Sequence, residues 1–128
     1  MARIDKSVLA IPARAPLQSE RHRYFVACHS CVVCAGFLTL RNGPVSQCAH
    51  VNYVARKHDG MRGKGQKARD CWTVPMCPRH HEMQGRVGQS GEAEATWWRE
   101  QGIDPETIIN TLIERSPDPR VRAVLEAA

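Results

Sequence analysis

Two close pairs of soft metal ligands constrain this chain more than any other feature. They are Cys31-x-x-Cys34 and Cys77-x-x-His80. Structural zinc takes four sulfur or nitrogen ligands in a tetrahedron, and two such pairs commonly supply them. A separation of three residues fits a tight turn or the first turn of a helix, where both side chains converge without strain. The spacing therefore predicts one structural zinc ion that ties together the two ends of residues 31–80.

The other cysteines have weaker claims on a metal. Cys28 also lies three residues from Cys31, but the small residues directly after Cys34 supply the turn that a metal-binding loop needs, which favours Cys34. Cys48 and Cys71 have no ligand partner nearby in the sequence, so we predict that both are small buried residues. Close Cys-x-x-Cys spacing suits thiolate ligands better than a disulfide framework, which predicts a reducing compartment.

The doubled histidine that follows Cys77 indicates two separate tasks. Adjacent residues of a helix point about 100° apart, so His81 cannot easily share a zinc ion with His80. His81 is left for a second site, and its candidate partner is His50 on a predicted strand. One neutral imidazole can deprotonate water, while the other can hold a divalent cation that stabilises a reacting phosphate.

The pattern of apolar residues, caps and turns predicts an α+β fold in three parts. Residues 1–18 form a flexible basic arm, residues 19–91 a zinc-bound core, and residues 92–128 an acidic helical extension packed on that core. The core is predicted to contain a helix at 20–27 with Ser19 as its cap, strands at 37–40, 45–54 and 70–76, a loop at 56–69 and a helix that opens at Pro78. The extension contains three helices, in which Trp97 and Trp98 are predicted core residues.

Charge is distributed unevenly along the chain. Residues 1–91 carry 14 Lys/Arg against 5 Asp/Glu, whereas residues 92–128 carry 4 against 8. A basic surface favours a polyanion such as DNA, although a merely solvated surface would have the same composition. The predicted loop contributes six cations for phosphate contact: Arg56, Lys57, Arg62, Lys64, Lys67 and Arg69. No apolar run of about 20 residues is present, so we expect no contact with a membrane.

Four stretches of the chain resemble the HNH, or ββα-metal, endonucleases, and in particular their compact phage and prophage type. The stretches are CVVCAG, CAHVNY, GMRGKGQKARDCWTVPMCPRHHEMQ and WWREQGIDP, which fall within residues 28–106. The combination of GKGQKARD with VPMCPRHH is the most specific part. The resemblance implies a small zinc-stapled ββα core that cleaves DNA in the cytoplasm of a bacterial host cell. An HNH unit usually makes one cut, so a double-strand break would need two visits or a homodimer.

The resemblance also assigns roles to individual residues. It gives the same four zinc ligands as the spacing does. His50 takes the place of the general base that activates water, and His81 takes that of a ligand to a catalytic divalent metal, Mg²⁺ or Mn²⁺. Asp70 lies where the family tends to carry an acidic residue before the second strand, where it would bind that metal or orient His50.

The chain departs from the family's pattern at three positions. Ala49 stands where many members have an acidic residue before the base, and Gly85 stands where related phage proteins often have a histidine. The asparagine that commonly precedes the helix is missing, although Asn52 or Asp70 could replace it. These departures favour an alternative function, a zinc-stapled nucleic-acid-binding module with little or no activity. A third alternative is an accessory protein of assembly or packaging that uses its acidic extension for protein contacts.

Overall fold

The computed structural model of this protein describes residues 18–60, 68–87 and 90–126. Within those ranges it contains seven helices and one antiparallel sheet of two strands, so the predicted α+β class is confirmed. In chain order the elements are α1 (Glu20–Ala27), α2 (Val32–Ala35), β1 (Gln47–His50), α3 (Asn52–Asp59), β2 (Thr73–Met76), α4 (Pro78–Val87), α5 (Gly91–Gln101), α6 (Pro105–Glu114) and α7 (Pro119–Glu126).

The two strands form the centre of the fold. The strand β1 pairs with β2 in a register that places Ala49 opposite Val74 and His50 opposite Thr73. Every residue of β2 is buried, because helices cover it from several sides, and in β1 only Ala49 is fully buried. The helix α4 starts at Pro78, two residues after β2 ends, as the sequence predicts. This short connection fixes the position of the first turn of α4 beside the sheet.

Three predicted elements of the core differ from the structure. Residues 37–40 form no strand of the sheet, and Leu40 makes only an isolated bridge to His29. The strand predicted at 45–54 covers only residues 47–50, and the chain then turns into α3 instead of continuing into a loop at Arg56. The reason is that Val51, Val54 and Ala55 are buried at helical spacing. The apolar and polar residues of 45–54 also alternate, and this alternation predicts a strand instead of a helix.

Local capping sets the ends of the helices as the sequence predicts. The Ser19 side chain accepts a hydrogen bond from the N–H of His22 at the start of α1, and Asp104 caps α6 in the same way with Pro105 at its first position. Gly102 ends α5 with a φ of 73°, a left-handed conformation that glycine adopts without strain. The beginnings and ends of these helices are therefore determined by short-range chemistry.

One hydrophobic core unites the strands with the C-terminal helices. Trp98, Ile109 and Ile113 are buried in the same cluster as Val74 and Met76 of β2. Trp97 packs edge-on against Trp98 with ring centroids 5.0 Å apart, so both tryptophans are core residues as predicted. No helix among the described residues has the length and apolar character needed to cross a membrane.

The first helix is also tied to the turn between α6 and α7. The hydroxyl of Ser19 donates a hydrogen bond of 2.6 Å to Asp118 Oδ2, and His22 Nδ1 lies 2.8 Å from the hydroxyl of Ser116. Burial lowers the pKa of His22 to about 4, although Asp70 and Asp118 partly oppose this shift. The imidazole is therefore neutral at physiological pH, which suits its fully buried position.

Candidate metal centre and histidine site

The four predicted zinc ligands come together from two short helices. Cys31 is the residue before α2 and Cys34 lies within that helix, while Cys77 directly precedes α4 and His80 lies in its first turn. In each pair the three-residue spacing spans one helical turn, so both side chains point to the same side. Their ligand atoms all lie within 4.8 Å of one another. The segment from β1 to β2 is thus enclosed between two halves of one cluster.

The distances within this cluster fit a tetrahedral zinc ion. Ligand atoms about 2.3 Å (sulfur) and about 2.0 Å (nitrogen) from zinc would lie roughly 3.5 to 3.8 Å apart. His80 Nδ1 lies 3.6 Å from the sulfur of Cys31, 3.4 Å from that of Cys34 and 3.3 Å from that of Cys77. The sulfurs of Cys34 and Cys77 are 4.0 Å apart. Three sulfurs and one imidazole in this arrangement could hold zinc, and the four ligands complete its coordination.

The thiol groups of the cluster influence one another strongly. Burial disfavours the thiolate of Cys31, but backbone N–H groups of Cys77 and Cys34 and the ring of His80 outweigh it and lower its pKa to about 7. Hydrogen bonding to Cys31 and burial raise the pKa of Cys34 to about 11. Without a cation, the thiolate of Cys31 therefore forms more readily at neutral pH than that of Cys34. A bound cation would relieve the repulsion between neighbouring thiolates, which is the expected behaviour of a metal centre.

The remaining cysteines lie outside the cluster. Cys28 follows the end of α1 and is buried, as the preference for Cys34 predicts. Cys71 is also buried as predicted, whereas Cys48 is half-buried because it is on the partly open face of β1. Among the residues that the structure describes, no other group of three or more His, Cys, Asp or Glu side chains comes within reach of a single ion.

His50 and Asp70 form a pair at the end of β1. His50 Nε2 lies 3.1 Å from Asp70 Oδ1. The carboxylate is almost completely buried, and its Oδ2 accepts a hydrogen bond of 2.8 Å from the backbone N–H of Ser19. The same oxygen lies 3.1 Å from Nε of Arg23. The carboxylate is therefore held in place by α1 while its second oxygen holds the imidazole.

The backbone of His50 is fixed from the other side by two buried polar residues. Gln84 of α4 donates one amide hydrogen to the carbonyl of His50 at 2.8 Å and another to Glu94 Oε2 at 2.7 Å. Glu94 of α5 is fully buried, and its Oε1 accepts a hydrogen bond of 3.0 Å from the N–H of Tyr53, at the start of α3. Two carboxylates, Asp70 and Glu94, thus fix the position of one histidine.

Replacing Glu94 with glutamine is expected to destabilise the protein by about 1 to 3 kcal/mol. Glu94 accepts hydrogen bonds with both oxygens, but an amide has a single oxygen, so one buried donor of Gln84 or Tyr53 would lose its partner. Chemical denaturation followed by circular dichroism measures the change. The matched control is Glu92→Gln, which makes the same substitution at an exposed position of α5 and should have almost no effect. Equal stabilities of the two variants would contradict this account.

His81 lies in a different place from the pair of His50 and Asp70. Its Nδ1 is 2.8 Å from Oε1 of Gln47, the first residue of β1. Gln47 and His50 are three residues apart on an extended strand, so their side chains leave opposite faces. The structure therefore brings Asp70 to His50, and it places His81 beside Gln47.

The described residues do not bring three or more His, Cys, Asp or Glu side chains together for a second, catalytic metal ion. Neither His81 nor the pair of His50 and Asp70 belongs to such a group. The two positions at which the resemblance expects further acidic or imidazole ligands offer none, because Ala49 is packed in the core and Gly85 faces open space. Gln47 and His81 would leave most of the coordination of a magnesium or manganese ion to water and substrate.

The predicted phosphate contacts have varied surroundings. Arg62, Lys64 and Lys67 lie outside the described residues. Lys57 pairs with Glu106 at 2.8 Å, and Arg69 makes an ion pair and a hydrogen bond with Asp59. Two of the three described cations therefore contact carboxylates.

Several residues of the site were not found from the sequence. Ser19, Arg23, Gln84 and Glu94 contact the pair of His50 and Asp70 or the residues that hold it. Ser19 was identified as a helix cap, but no motif marks the other three. Their contacts reach across 34 residues or more of sequence, except for the one between Gln84 and Glu94. Only the tertiary packing of α1, α4 and α5 reveals them.

Comparisons of this chain with family models, with curated proteins and with solved structures find no match.

Proposed function

We propose that this protein is a DNA endonuclease of the HNH type, in which His50 is the general base. The observation that carries this proposal is the distance of 3.1 Å between His50 Nε2 and the buried carboxylate of Asp70. A base that is held by a carboxylate, at the end of a strand and close to a helix, is a recurring arrangement of hydrolytic sites. The order of β1, β2 and α4 around a zinc-type cluster supports the same assignment.

Asp70 prepares His50 for proton transfer. The carboxylate fixes the proton of the neutral imidazole on Nε2, so Nδ1 is the nitrogen that accepts a proton from water. As water gives this proton to Nδ1, its oxygen forms a bond to phosphorus. The bond from phosphorus to the leaving sugar oxygen then breaks, and that oxygen takes a proton from solvent. The carboxylate of Asp70 stabilises the imidazolium that forms.

The zinc cluster has a structural role in this proposal. Four protein ligands complete a tetrahedron and leave no position for water or substrate. The cluster instead joins α2 to the start of α4, whose Gln84 holds the backbone of His50. Zinc would thereby stabilise the position of the base without contacting the substrate.

DNA is the substrate that the charge distribution supports. Cations greatly outnumber anions in residues 1–91, which include both halves of the zinc cluster and the His50–Asp70 pair. Contacts of cations with phosphates provide affinity that depends steeply on salt and little on sequence. In the HNH family a divalent cation, when bound, supplies positive charge at the reacting phosphate.

A second candidate function is a nucleic-acid-binding module without activity. The position of His81 beside Gln47 favours it, because the described residues then lack a complete ligand set for a catalytic metal. This alternative uses the same zinc cluster and the same excess of Lys and Arg in residues 1–91. It differs in predicting no cleavage under any condition.

The two functions can be separated by incubating the purified protein with supercoiled plasmid. Parallel reactions contain Mg²⁺, Mn²⁺, neither ion, or EDTA, and metal analysis shows whether the protein keeps its zinc in each. We expect relaxed plasmid to accumulate, and the dependence of its rate on the added ion measures the need for a second metal. Binding of plasmid with no relaxed product in any reaction would reject the nuclease and support the module.

A further inference from the structure

Arg23 of α1 lies beside the pair of His50 and Asp70. Its Nε is 3.1 Å from Oδ2 of Asp70, and 42% of its side chain is exposed, against 7% for Asp70. The Nε–H is not aligned with the carboxylate, so the contact is an ion pair without a hydrogen bond. Arginine carries five N–H donors, and an optimised pair with a carboxylate would use two of them in parallel. This guanidinium is therefore held near Asp70 with its donors largely unused among the described residues.

Arg23 lies near the imidazole of His50, because both side chains contact the carboxylate of Asp70. Cys48 and His50 are two residues apart in β1, so their side chains leave the same face. Burial raises the pKa of the Cys48 thiol to about 11, while the charge of Arg23 acts on the same thiol in the opposite direction. The charge of Arg23 thus acts on the face of β1 that carries Cys48 and His50. The carboxylate of Asp70, which orients His50, holds Arg23 in that position.

We propose that Arg23 is a phosphate-binding residue of this site, whose terminal N–H groups bind the non-bridging oxygens of the phosphodiester that His50 attacks with water. The inference deepens the proposed function and depends on it for the location of the substrate. A planar guanidinium matches two phosphate oxygens, and it remains charged at any pH at which DNA is stable. An arginine beside this pair supplies positive charge to the reacting phosphate.

Arg21 provides a matched control on the same helix. It is exposed, lies two residues away and therefore points about 200° away from Arg23 around the helix. Its one described contact is a hydrogen bond to the carbonyl of Pro117. Replacing either arginine with glutamine removes the same charge, so only a local contact with phosphate would distinguish the two variants.

The experiment measures binding of a short fluorescein-labelled DNA duplex by fluorescence anisotropy at several salt concentrations. It is performed in the His50→Ala background, so that no DNA is cleaved. Arg23→Gln is expected to weaken binding about tenfold and to flatten the salt dependence by about one unit. Arg21→Gln should change the affinity less than about twofold. Arg23→Lys, which keeps the charge but loses the planar fork, should keep the salt slope and lose part of the affinity.

Each possible result decides the proposal. Equal effects of Arg23→Gln and Arg21→Gln would overturn it. If Arg23→Gln loses its zinc or its cooperative melt, Arg23→Lys decides instead, because it keeps a cation beside Asp70, and an unchanged affinity of that variant would overturn the proposal. If the wild-type protein never nicks plasmid but Arg23→Gln still weakens DNA binding, the proposed nuclease activity is rejected and the phosphate-binding role of Arg23 is supported. If the wild-type protein nicks plasmid and Arg23→Gln binds and cuts DNA equally well, the assignment of Arg23 is rejected and the proposed nuclease is not.

Discussion

Replacing His50 with alanine is expected to lower the rate of plasmid nicking by about 100-fold or more, while zinc content and melting temperature stay near those of the wild type. A positioned general base contributes about 10² to 10⁴ to the rate of a reaction, and alanine removes it completely. The His50 side chain is partly exposed and contacts Asp70 at the edge of the site, so its loss leaves the hydrophobic core intact. DNA binding should also persist, because the imidazole is not among the predicted phosphate contacts.

The orienting role of Asp70 gives an independent test of the same site. Asp70→Asn removes the carboxylate that holds Nε2 of His50, at 3.1 Å in the wild type, and with it the charge that stabilises the imidazolium. The maximal rate of nicking should therefore fall, because the imidazole is held less well. Cys48→Ser alters a neighbouring side chain on the same face and serves as the control. Nicking by His50→Ala at the wild-type rate would place the activity elsewhere or in a contaminant.

The cluster of Cys31, Cys34, Cys77 and His80 could be predicted from the sequence because the geometry of each pair is local. In each pair, one helical turn determines that the two side chains converge, and this is independent of the rest of the fold. Only the meeting of the two pairs depends on tertiary structure. The short connection between β2 and α4 and the packing of α2 near β2 bring them together. The caps at Ser19 and Asp104 were predictable for the same reason, since a cap involves residues within one turn.

The helix α3 could not be predicted because its stabilising contacts are distant in sequence. Its first N–H groups have no serine or aspartate cap, and Glu94, 41 residues later, accepts the hydrogen bond of Tyr53 instead. Its buried face, with Val54 and Ala55, packs in a cluster to which α5 and α6 also contribute. Alternating apolar and polar residues over a short stretch are compatible with either a strand or a helix, and the tertiary contacts decide between them.

The relation between the two histidines also depends on tertiary structure. The sequence shows that His80 and His81 point in different directions, but it does not show which part of β1 the second one meets. The rotation of α4 about its axis places His81 at Gln47 and Gln84 at His50. Asp70 could be assigned from the resemblance, whereas its contacts with Ser19 and Arg23 required the position of α1.

The largest effect on stability is expected from Cys77→Ser. This variant should lose stoichiometric zinc and most of its cooperative thermal transition, because three ligands remain and the thiolate sulfur is removed. Binding of structural zinc supplies roughly 10 to 16 kcal/mol of apparent free energy in small zinc domains, which is comparable to the total stability of a domain of about 5 to 15 kcal/mol. Zinc content by mass spectrometry and melting by circular dichroism measure the two losses. The nicking activity that we propose should disappear together with the fold.

Two controls separate the zinc centre from the other sulfur and imidazole groups. Cys48→Ser makes the same substitution outside the cluster, so it should keep its zinc and a melting curve near that of the wild type. His81→Ala should likewise keep its zinc, because Nδ1 of His80 already lies 3.3 to 3.6 Å from three sulfurs. If His81→Ala loses its zinc and His80→Ala keeps it, then His81 is the zinc ligand and His80 is not. If Cys77→Ser keeps its full zinc content and melts normally, then Cys77 is not a ligand of a structural zinc ion.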